Sequence, residues 1–365
     1  MGDTPVTAQN VAIYNAAPTV KVDSQSRADV DRMLVAMEMS ESLGGLTSME
    51  LRFGNLGTFS SGATGLVFED DAVLKLGASV EVFAGDQTAP TSIFKGKVSA
   101  LEGRYSAENA PELVVLAEDA LQAARMKRRS KVHENVTLAD LVSSIAQACA
   151  LTPRTDGLST NVGTHVQLNE SDLAFVRRIL SRYDADLQVV NDQLHAAPRA
   201  RIQRNQIELS LDQKLRRARV VADLAHQVTK VEFSGWDFRQ GQVAARSRDA
   251  NPPGPGSGKA GSTILQQTFG ARAEQLAHVS VRDSSEAQAV VDAEWEQRSR
   301  RFVTIHATSV GVPDLRVGSH VKVNKLGARF SNTYWVVATT HRYDQTRGYE
   351  TDFTAECAYL GEAAS

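Results

Sequence analysis

Cysteine is scarce in this chain of 365 residues, because only Cys149 and Cys357 occur and they form no metal-ligand or redox spacing. A disulfide-stabilised scaffold and a zinc module are therefore excluded. The two thiols are expected to be buried, in a reducing compartment. The 25 glycines and 10 prolines follow no collagen-like repeat, so a fibrous chain is excluded as well.

Long hydrophobic runs are also missing, and no stretch reaches the roughly 18 apolar residues that a spanning helix needs. The N-terminus has neither a basic nor an apolar signal-peptide region, so synthesis in the cytoplasm is expected. Lysine plus arginine (40) and aspartate plus glutamate (43) leave a net charge of −3, which argues against a dedicated nucleic-acid binder. The length predicts two or three domains at about 150 residues each.

The first third of the chain has the alternating pattern of β-strands, from Val11 to about Leu116. Residues 31–40 and 49–53 alternate hydrophobic and polar side chains, and further short strands follow with glycine- or proline-containing turns between them. Regularly spaced short strands are typical of a sandwich or barrel. Residues 1–118 are therefore predicted to form one β domain.

The hydrophobic period becomes helical near residue 119. Thr137 and Asp140 have the spacing of a capping box, which predicts a helix from residue 138, and a second helix is predicted to begin around residues 169–172. The Asn191-Asp192 pair predicts a tight β-hairpin. Residues 119–198 are therefore predicted to be a compact α+β insert.

The remainder, residues 199–365, is predicted to be a second β domain. It is interrupted by a proline- and glycine-rich linker at 249–262, predicted to be a mobile loop or tether, and by a helix at 283–301 that Asp283 caps. The overall fold class is thus α+β, mainly β.

Catalytic motifs do not emerge. Gly258-Lys259 resembles the end of a phosphate-binding loop, but Pro253 and Ala260 break that motif. His341 is either a general base or, as we favour, an imidazole bonded to a turn carbonyl or carboxylate. A distant pair of carboxylates for glycan hydrolysis stays open. No catalytic residue, metal site or cofactor site is predicted.

Two basic runs, at 125–131 and 199–219, have two interpretations. They could contact phosphates, or they could form a solvated or subunit-facing surface. Aromatic side chains are not interleaved with either run, so a stacking platform for single strands is missing and the second interpretation is favoured. The residues expected to face a lumen or an interface are Arg125, Lys127, Arg128, Arg129, Arg216, Arg217 and Arg219.

Three stretches together resemble the phage late control D family, the hub proteins of contractile-tail baseplates, which includes the N-terminal part of VgrG spike proteins. Residues 169–175 resemble its Asn-Glu-Ser-Asp helix, 231–237 its Gly-Trp-Asp strand, and 313–353 its closing series of glycine, tyrosine and histidine motifs. The matching positions are Asn169, Ser171, Asp172, Gly235, Trp236, Asp237, Gly318, Tyr334, His341, Tyr343, Gly348 and Tyr349.

These positions are expected to have structural roles and no catalytic role. Ser171 and Asp172 suit a helix cap. Trp236 is expected to supply apolar bulk at a strand end. The glycines permit a positive φ or a close backbone approach. Tyr334 and Tyr349 are expected to pack on a core while their hydroxyl groups reach its rim.

The resemblance implies a homotrimer in which each subunit supplies two tail-tube-like β-barrels, giving a pseudo-sixfold ring that uses exposed strand edges. Such a hub joins the sixfold inner tube to a threefold spike and lines a channel for tape-measure protein or cargo. Its partners would be itself, tube protein, other baseplate proteins and a separate spike, since the chain ends soon after Cys357. Membrane contact and specific nucleic-acid binding are not expected.

The expected location is the tail baseplate of a virion or an extracellular injection particle. The alternatives are a baseplate-associated peptidoglycan hydrolase, a nucleic-acid binder that uses the basic runs, and a tube or sheath component.

Overall fold

The computed structural model describes residues 17–86, 88–237, 240–277 and 279–362. The beginning of the predicted first domain, up to residue 16, and the last three residues of the predicted second domain therefore lie outside the described residues.

The first β region is confirmed as strand-rich. Its elements are β1 Thr19–Val22, β2 Gln25–Ser26, α1 Ala28–Met33, β3 Leu34–Ser42, β4 Ser48–Gly54, β5 Leu56–Thr58, β6 Thr64–Leu66, β7 Ser79–Gly85, β8 Pro90–Arg104 and β9 Glu112–Glu118. The strand predicted from residue 31 begins only at Leu34. The preceding turn is helical, because the Asp31 carboxylate accepts the Val20 N–H at 2.7 Å and Val30 packs in the core.

The middle of the chain contains α2 Gln122–Met126, β10 Arg128–Thr137, α3 Leu138–Ala148, β11 Thr152–Thr155, β12 Asn161–Ser171, α4 Asp172–Arg182, β13 Ala185–Val190 and β14 Gln193–Pro198. The predicted capping box is confirmed, with Thr137 Oγ1 accepting the Asp140 N–H at 3.1 Å and Asp140 accepting the Thr137 N–H at 2.9 Å. Asn191 and Asp192 both have positive φ, as a type I′ hairpin turn requires.

The last region contains η1 Arg199–Arg201, β15 Gln206–Ser210, β16 Leu215–Ala222, β17 Lys230–Asp237, β18 Gln242–Arg248, β19 Lys259–Ala260, α5 Gly261–Phe269, β20 Ala273–Gln275, α6 Ser284–Arg300, β21 Val303–Val310, β22 His320–Asn324, α7 Gly327–Phe330, β23 Asn332–Asp344, β24 Gly348–Cys357 and β25 Tyr359–Leu360. The predicted cap of α6 is confirmed, because the Asp283 carboxylate accepts the N–H groups of Ser285 and Glu286. Both cysteines are free and buried, as expected.

The proline- and glycine-rich segment at 249–262 is not a free tether. Ser257 donates its N–H to Asn332 Oδ1 at 3.0 Å, and the Tyr359 hydroxyl donates to the Pro252 carbonyl at 2.5 Å. Strand β19 pairs with β25, and α5 begins at Gly261, inside the predicted linker. Proline cannot donate a backbone hydrogen bond, but its carbonyl still accepts one, and these contacts hold the segment against the second β region.

One sheet of 13 strands connects the two β regions. Its main path runs β16-β21-β24-β23-β3-β4-β9-β8-β7-β1-β2, with β22 beside β23 and β15 beside β22. The junction is the antiparallel pairing of β3 with β23. The β15–β22 pair is parallel, and the pairs along the main path are antiparallel. The mainly β prediction is therefore confirmed, with a large antiparallel sheet as its centre.

Each region has its own hydrophobic core. Met39, Leu51 and Phe53 lie in the first core, and Tyr334 and Phe353 lie in the core of the second β region. The α3 and α4 helices close a third core over β13 and β14, and α6 packs on β17 and β18 around the buried Trp295. Burial of these separate apolar sets supplies the main favourable free energy of folding.

Candidate functional site

One face of the large sheet is polar across eight neighbouring strands, from β16 to β8. Directly opposed residues form a polar row across all of them: Arg217, Thr308, Asp352, Thr340, Ser40, Ser48, Glu118 and Lys97. The adjacent row is buried: Ser309, Thr351, His341, Met39, Met49, Ala117 and Val98. Because successive side chains of a strand point to opposite faces, the layer presents one face to the cores and the other to water.

A shallow groove of about 460 Å³ lies on this polar face near the β16 end. Thr308 Oγ1 donates to Asp352 at 2.7 Å, and Arg342 forms an ion pair with the same carboxylate at 2.5 Å. Arg217 donates to Thr308 at 3.3 Å. Asp352 is thus engaged in a cross-strand polar network. Within the described part of the chain, no group of three or more His, Cys, Asp or Glu side chains is placed to hold a metal ion.

The eight-strand layer has a free strand edge at each end. Among the described strands, β16 pairs only with β21. At the other end, β8 pairs with β7 only as far as Lys97, and Val98 makes the last backbone hydrogen bonds on that edge of β8. Residues 99–104 of β8 therefore pair only with β9. Unpaired N–H and C=O groups along a strand edge can accept another strand.

The two basic runs lie on different surfaces. In the first, Arg125 forms an ion pair with Glu118 at 2.5 Å and Arg129 with Asp172 at 2.7 Å. Lys127 and Arg128 are exposed at the beginning of β10. The end of the second run lies on β16, where Arg216 forms an ion pair with Glu350 and the exposed Arg217 and Arg219 line the groove. The structure therefore does not join the runs into one basic surface.

The Asn-Glu-Ser-Asp motif is where β12 becomes α4. Asn169 has a φ of +50°, Ser171 Oγ accepts the Ala174 N–H at 3.2 Å, and Asp172 begins the helix and forms an ion pair with Arg129. The predicted helix beginning at 169–172 is thus placed at Asp172, with Ser171 as its N-cap. The carboxylate of Asp172 also suits the positive end of the helix.

Trp236 is not packed into a core, because half of its side chain is exposed. It lies opposite Val243, which is 60% exposed, on the outer face of the β17–β18 hairpin. Next to it, a Cβ on Gly235 would approach the Phe233 ring to 2.5 Å. Asp237 is buried and accepts the Gln240 N–H at 3.0 Å. The prediction of apolar bulk for Trp236 was wrong because alternation along β17 turns its side chain away from α6.

We expect Trp236→Ser to change the free energy of unfolding by no more than about 1 kcal/mol, since exposed substitutions cost little. Trp335→Ser should cost about 3 kcal/mol or more, because Trp335 is 2% exposed and donates its indole N–H to the Ile202 carbonyl at 3.0 Å. Urea unfolding of the two variants measures both values. Equal losses would contradict the assigned exposure.

The third motif stretch forms a buried polar cluster. A hydrogen bond of 2.7 Å joins His341 Nδ1 to the Tyr349 hydroxyl, and His341 Nε2 lies 3.0 Å from the Leu315 carbonyl. The interpretation of His341 as an imidazole bonded to a carbonyl is therefore supported. Burial, with a further contribution from Arg316, lowers its pKa to about 3. A neutral, fully buried imidazole is not placed to act as a general base on a substrate.

The two tyrosines differ from their expectation. Tyr334 and Tyr349 are fully buried, so their hydroxyl groups do not reach a rim. The Tyr334 hydroxyl donates to the Phe330 carbonyl at 2.6 Å. Tyr343 packs, partly buried, against the first core. These side chains fix the ends of β23 and β24 from inside the protein.

Gly318 and Gly348 have φ values of +85° and +75°, as expected for turns that enter strands. At Gly318 a Cβ would lie 2.7 Å from Ile202 Cγ2, so a side chain is excluded by space as well as by φ.

Glu41 is at the centre of a buried ion network that connects the two β regions. It accepts from Arg204 Nη1 at 2.8 Å, from Arg316 Nε at 2.8 Å and from the Val317 N–H at 3.1 Å. Arg316 also donates to the Ile93 carbonyl at 2.9 Å. Burial opposes the charge of Glu41, but Arg316 and Arg204 outweigh it and lower its pKa to about 2. This network was missed, although Glu41 continues the inward phase of Met37 and Met39 along β3.

A second buried network connects the middle region to the last one. Arg199 contacts Glu356 at 3.2 Å and lies 4.4 Å from the centre of the Trp335 ring, while Arg300 on α6 forms an ion pair with Asp184. Burial raises the pKa of Asp184 despite both arginines. These two networks hold the three regions together, and they engage Arg199 and Arg204 of the second basic run.

The fold is similar to that of tail proteins. The 43 kDa tail protein of prophage MuSo2 from Shewanella oneidensis has a TM-score of 0.68 at 11% identity, over 93% of this chain and 97% of that one. A tail protein from Neisseria meningitidis has a TM-score of 0.64 at 12% identity, over 94% and 99%. An Escherichia coli component of the type VI secretion system, described as similar to phage T4 tail proteins, has a TM-score of 0.55 at 15% identity, over 91% and 76%. Likeness at such low identity shows a shared fold.

Every helix in the described part of the chain is too short or too polar to span a lipid bilayer. No curated protein matches the sequence. The model of one family, described as the Alg8 N-terminal domain, matches residues 61–345, which is more than three quarters of the sequence. The chain therefore belongs to the Alg8 N-terminal domain family.

Proposed function

We propose that this protein is a structural hub at the centre of a contractile-tail baseplate, where it joins the inner tube to the spike and lines the channel. The observation that carries this proposal is the eight-strand layer, which has one polar face and a free edge at each end. The tail proteins that share the fold support the same role.

The proposed subunit has two tube-like barrels, at 1–118 and 199–365, with the α+β insert at 119–198 between them. The separate cores of the two β regions support this division. Three copies would then present six similar β units to a sixfold tube and a threefold end to a spike. A closed cyclic assembly of this kind requires each copy to offer two different surfaces.

The two free edges suit that requirement. Strand β16 of one copy would pair with residues 99–104 of β8 in the next, so that the polar layers of three copies form one continuous wall. Backbone pairing supplies affinity without demanding particular side chains. Arg217 and Arg219 would then face the channel, next to Thr308 and Asp352.

The partners would be other copies, the tube protein, a separate spike, other baseplate proteins, and tape-measure protein or cargo in the channel. The protein would be made in the cytoplasm and would act in the baseplate of a virion or an injection particle. No cofactor, membrane contact or specific nucleic-acid binding is part of the proposal. A peptidoglycan hydrolase is the enzymatic alternative, and lytic clearing in a zymogram of the purified protein would favour it.

Reversing two charges on the channel face tests this assignment in a strain that makes the particles. We expect R217E/R219E to reduce complete particles about tenfold or more, because the reversal turns this basic part of the channel face acidic beside Asp352 and places the wrong charge against the parts that meet it. The purified variant should keep its thermal stability, since both side chains are exposed and lie on the solvent side of β16.

The matched control is R32E/K259E, which reverses two exposed charges away from the proposed wall. Particle counts by electron microscopy measure the effect. A normal count for R217E/R219E would contradict the channel assignment.

A further inference from the structure

An exposed loop of the first β region combines apolar and acidic side chains. This acidic loop, residues 55–76, contains the β5–β6 hairpin and exposes Leu56, Phe59 and Leu76 at 46%, 47% and 64%. Glu69, Asp70 and Asp71 follow in sequence and are exposed, and none of them has an ion-pair partner among the described residues. Lys75 is the single basic side chain of this loop, so the loop carries a net negative charge.

The base of the acidic loop is fixed. Asn55 Oδ1 accepts the Phe68 N–H at 2.8 Å, and Phe68 packs edge-on against Phe53 with ring centres 5.7 Å apart. Phe68 is 7% exposed, so the acidic residues directly after it begin from a rigid point. A loop that is already ordered loses little entropy on docking.

A second surface, on the insert, has the complementary chemistry. This basic ribbon is the two-stranded sheet of β10 and β12, in which Val132 lies opposite Val166 and both are exposed, at 51% and 55%. Leu168, on the same side of β12 as Val166, is 72% exposed. Lys127 and Arg128, where β10 begins, are exposed and have no acidic partner among the described residues.

The basic ribbon is also held from behind. His133 stacks on Phe175 of α4 with ring centres 4.7 Å apart, and Arg129 forms an ion pair with Asp172 at 2.7 Å. The outer face of β10 and β12 is therefore a fixed apolar strip with unpaired cations at one end. Within the described residues, β10 and β12 pair only with each other, so neither strand is covered on its outer edge.

We propose that the acidic loop of one copy docks on the basic ribbon of the next copy. Each surface has three exposed apolar side chains, and the unpaired charges of Glu69, Asp70 and Asp71 on the loop are opposite in sign to those of Lys127 and Arg128 on the ribbon. Both surfaces are exposed in the single chain, so they do not cover each other within one copy. A contact between two different surfaces is heterologous, and such contacts close a ring when the rotation between copies allows it.

This inference rests on the proposed ring and adds a second contact to it. A specific interface buries roughly 1,200–2,000 Å² in total, which is more than six side chains provide. The strand edges of β16 and β8 would supply the remainder. The loop and the ribbon would then select the partner and its orientation, which is the usual contribution of complementary charge.

The test is charge reversal with mutual rescue in the full chain. We expect E69K/D71K and K127E/R128E each to raise the apparent dissociation constant for self-association about tenfold or more, because each places like charges against each other. The four-substitution variant that combines them should return to within about threefold of the original protein. Sedimentation velocity over a concentration series measures all three.

The matched control is D249K/E362K, which reverses two exposed acids outside both surfaces and should leave association unchanged. Association of the two double variants at the original strength, or failure of the combined variant to recover, would overturn the docking contact while leaving the ring in place. A chain that stays at its monomer mass of 39.5 kDa at every concentration would overturn the ring itself, and the docking contact with it.

Discussion

Replacing Glu41 by glutamine is expected to lower the free energy of unfolding by about 3–5 kcal/mol, because it leaves buried cations without their counter-charge. Arg316 and Arg204 both point at this carboxylate, and Arg316 is 8% exposed and so cannot turn to water without breaking its bond to the Ile93 carbonyl. Glutamine has nearly the same volume as glutamate, so the loss of stability would come from the missing charge and not from a cavity. Urea denaturation of both proteins at pH 7 measures it.

The matched control is Glu38→Gln, three residues earlier on the same strand. Glu38 is exposed on the polar face and forms no ion pair within the described part of the chain, so a change of about 0.5 kcal/mol or less is expected. If E41Q were as stable as E38Q, the network would not hold the two β regions together. The assembly proposals depend on that junction, since β3 and β23 meet beside Glu41.

Acid is expected to destabilise the protein from about pH 6.5 downward, through His341. Its pKa falls from 6.5 to about 3 on folding, so between these values the unfolded chain binds a proton that the folded protein excludes. The stability that His341 contributes is complete above pH 6.5 and is lost as the pH falls through about 3. One group that is protonated in the unfolded chain and neutral in the folded protein lowers the free energy of unfolding by about 1.4 kcal/mol for each pH unit of this window.

Glu41 adds a second loss at lower pH. Its pKa is lowered from 4.5 to about 2, so its contribution is complete above pH 4.5 and disappears as the pH falls through about 2. We expect His341→Gln to be less stable at pH 7 and to have a flatter dependence of unfolding free energy on pH between 6.5 and 4.5. Denaturant titrations at half-unit steps measure this slope. Parallel slopes for the two proteins would contradict the assignment to His341.

Local chemistry made several elements predictable. The capping box of Thr137 and Asp140, the hairpin turn at Asn191-Asp192 and the cap at Asp283 each depend on a few adjacent residues, and all three are confirmed. Strands β3 and β4 were found because one side of each is buried, and β9 was found from its apolar run Leu113–Leu116. Strands β10 and β12 were missed because much of their surface is exposed, so hydrophobic alternation is absent.

Long-range arrangement was not predictable from the same patterns. The pairing of β3 with β23 joins residues about 300 positions apart, and no local signal encodes that register. The Glu41 network likewise unites residues from β3 and from two separate loops. For Trp236 the local pattern itself misled, because a large aromatic residue in a strand motif suggested a packing role. The alternation of β17 turns this side chain toward water.

Electron microscopy of the purified protein, at a concentration where it self-associates, tests the central proposal most directly. We expect rings of three copies with an open centre, in which the row from Arg217 to Lys97 faces the opening and β16 adjoins β8 of the next copy. Isolated chains, or assemblies in which that polar row faces outward and the centre is closed, would contradict it.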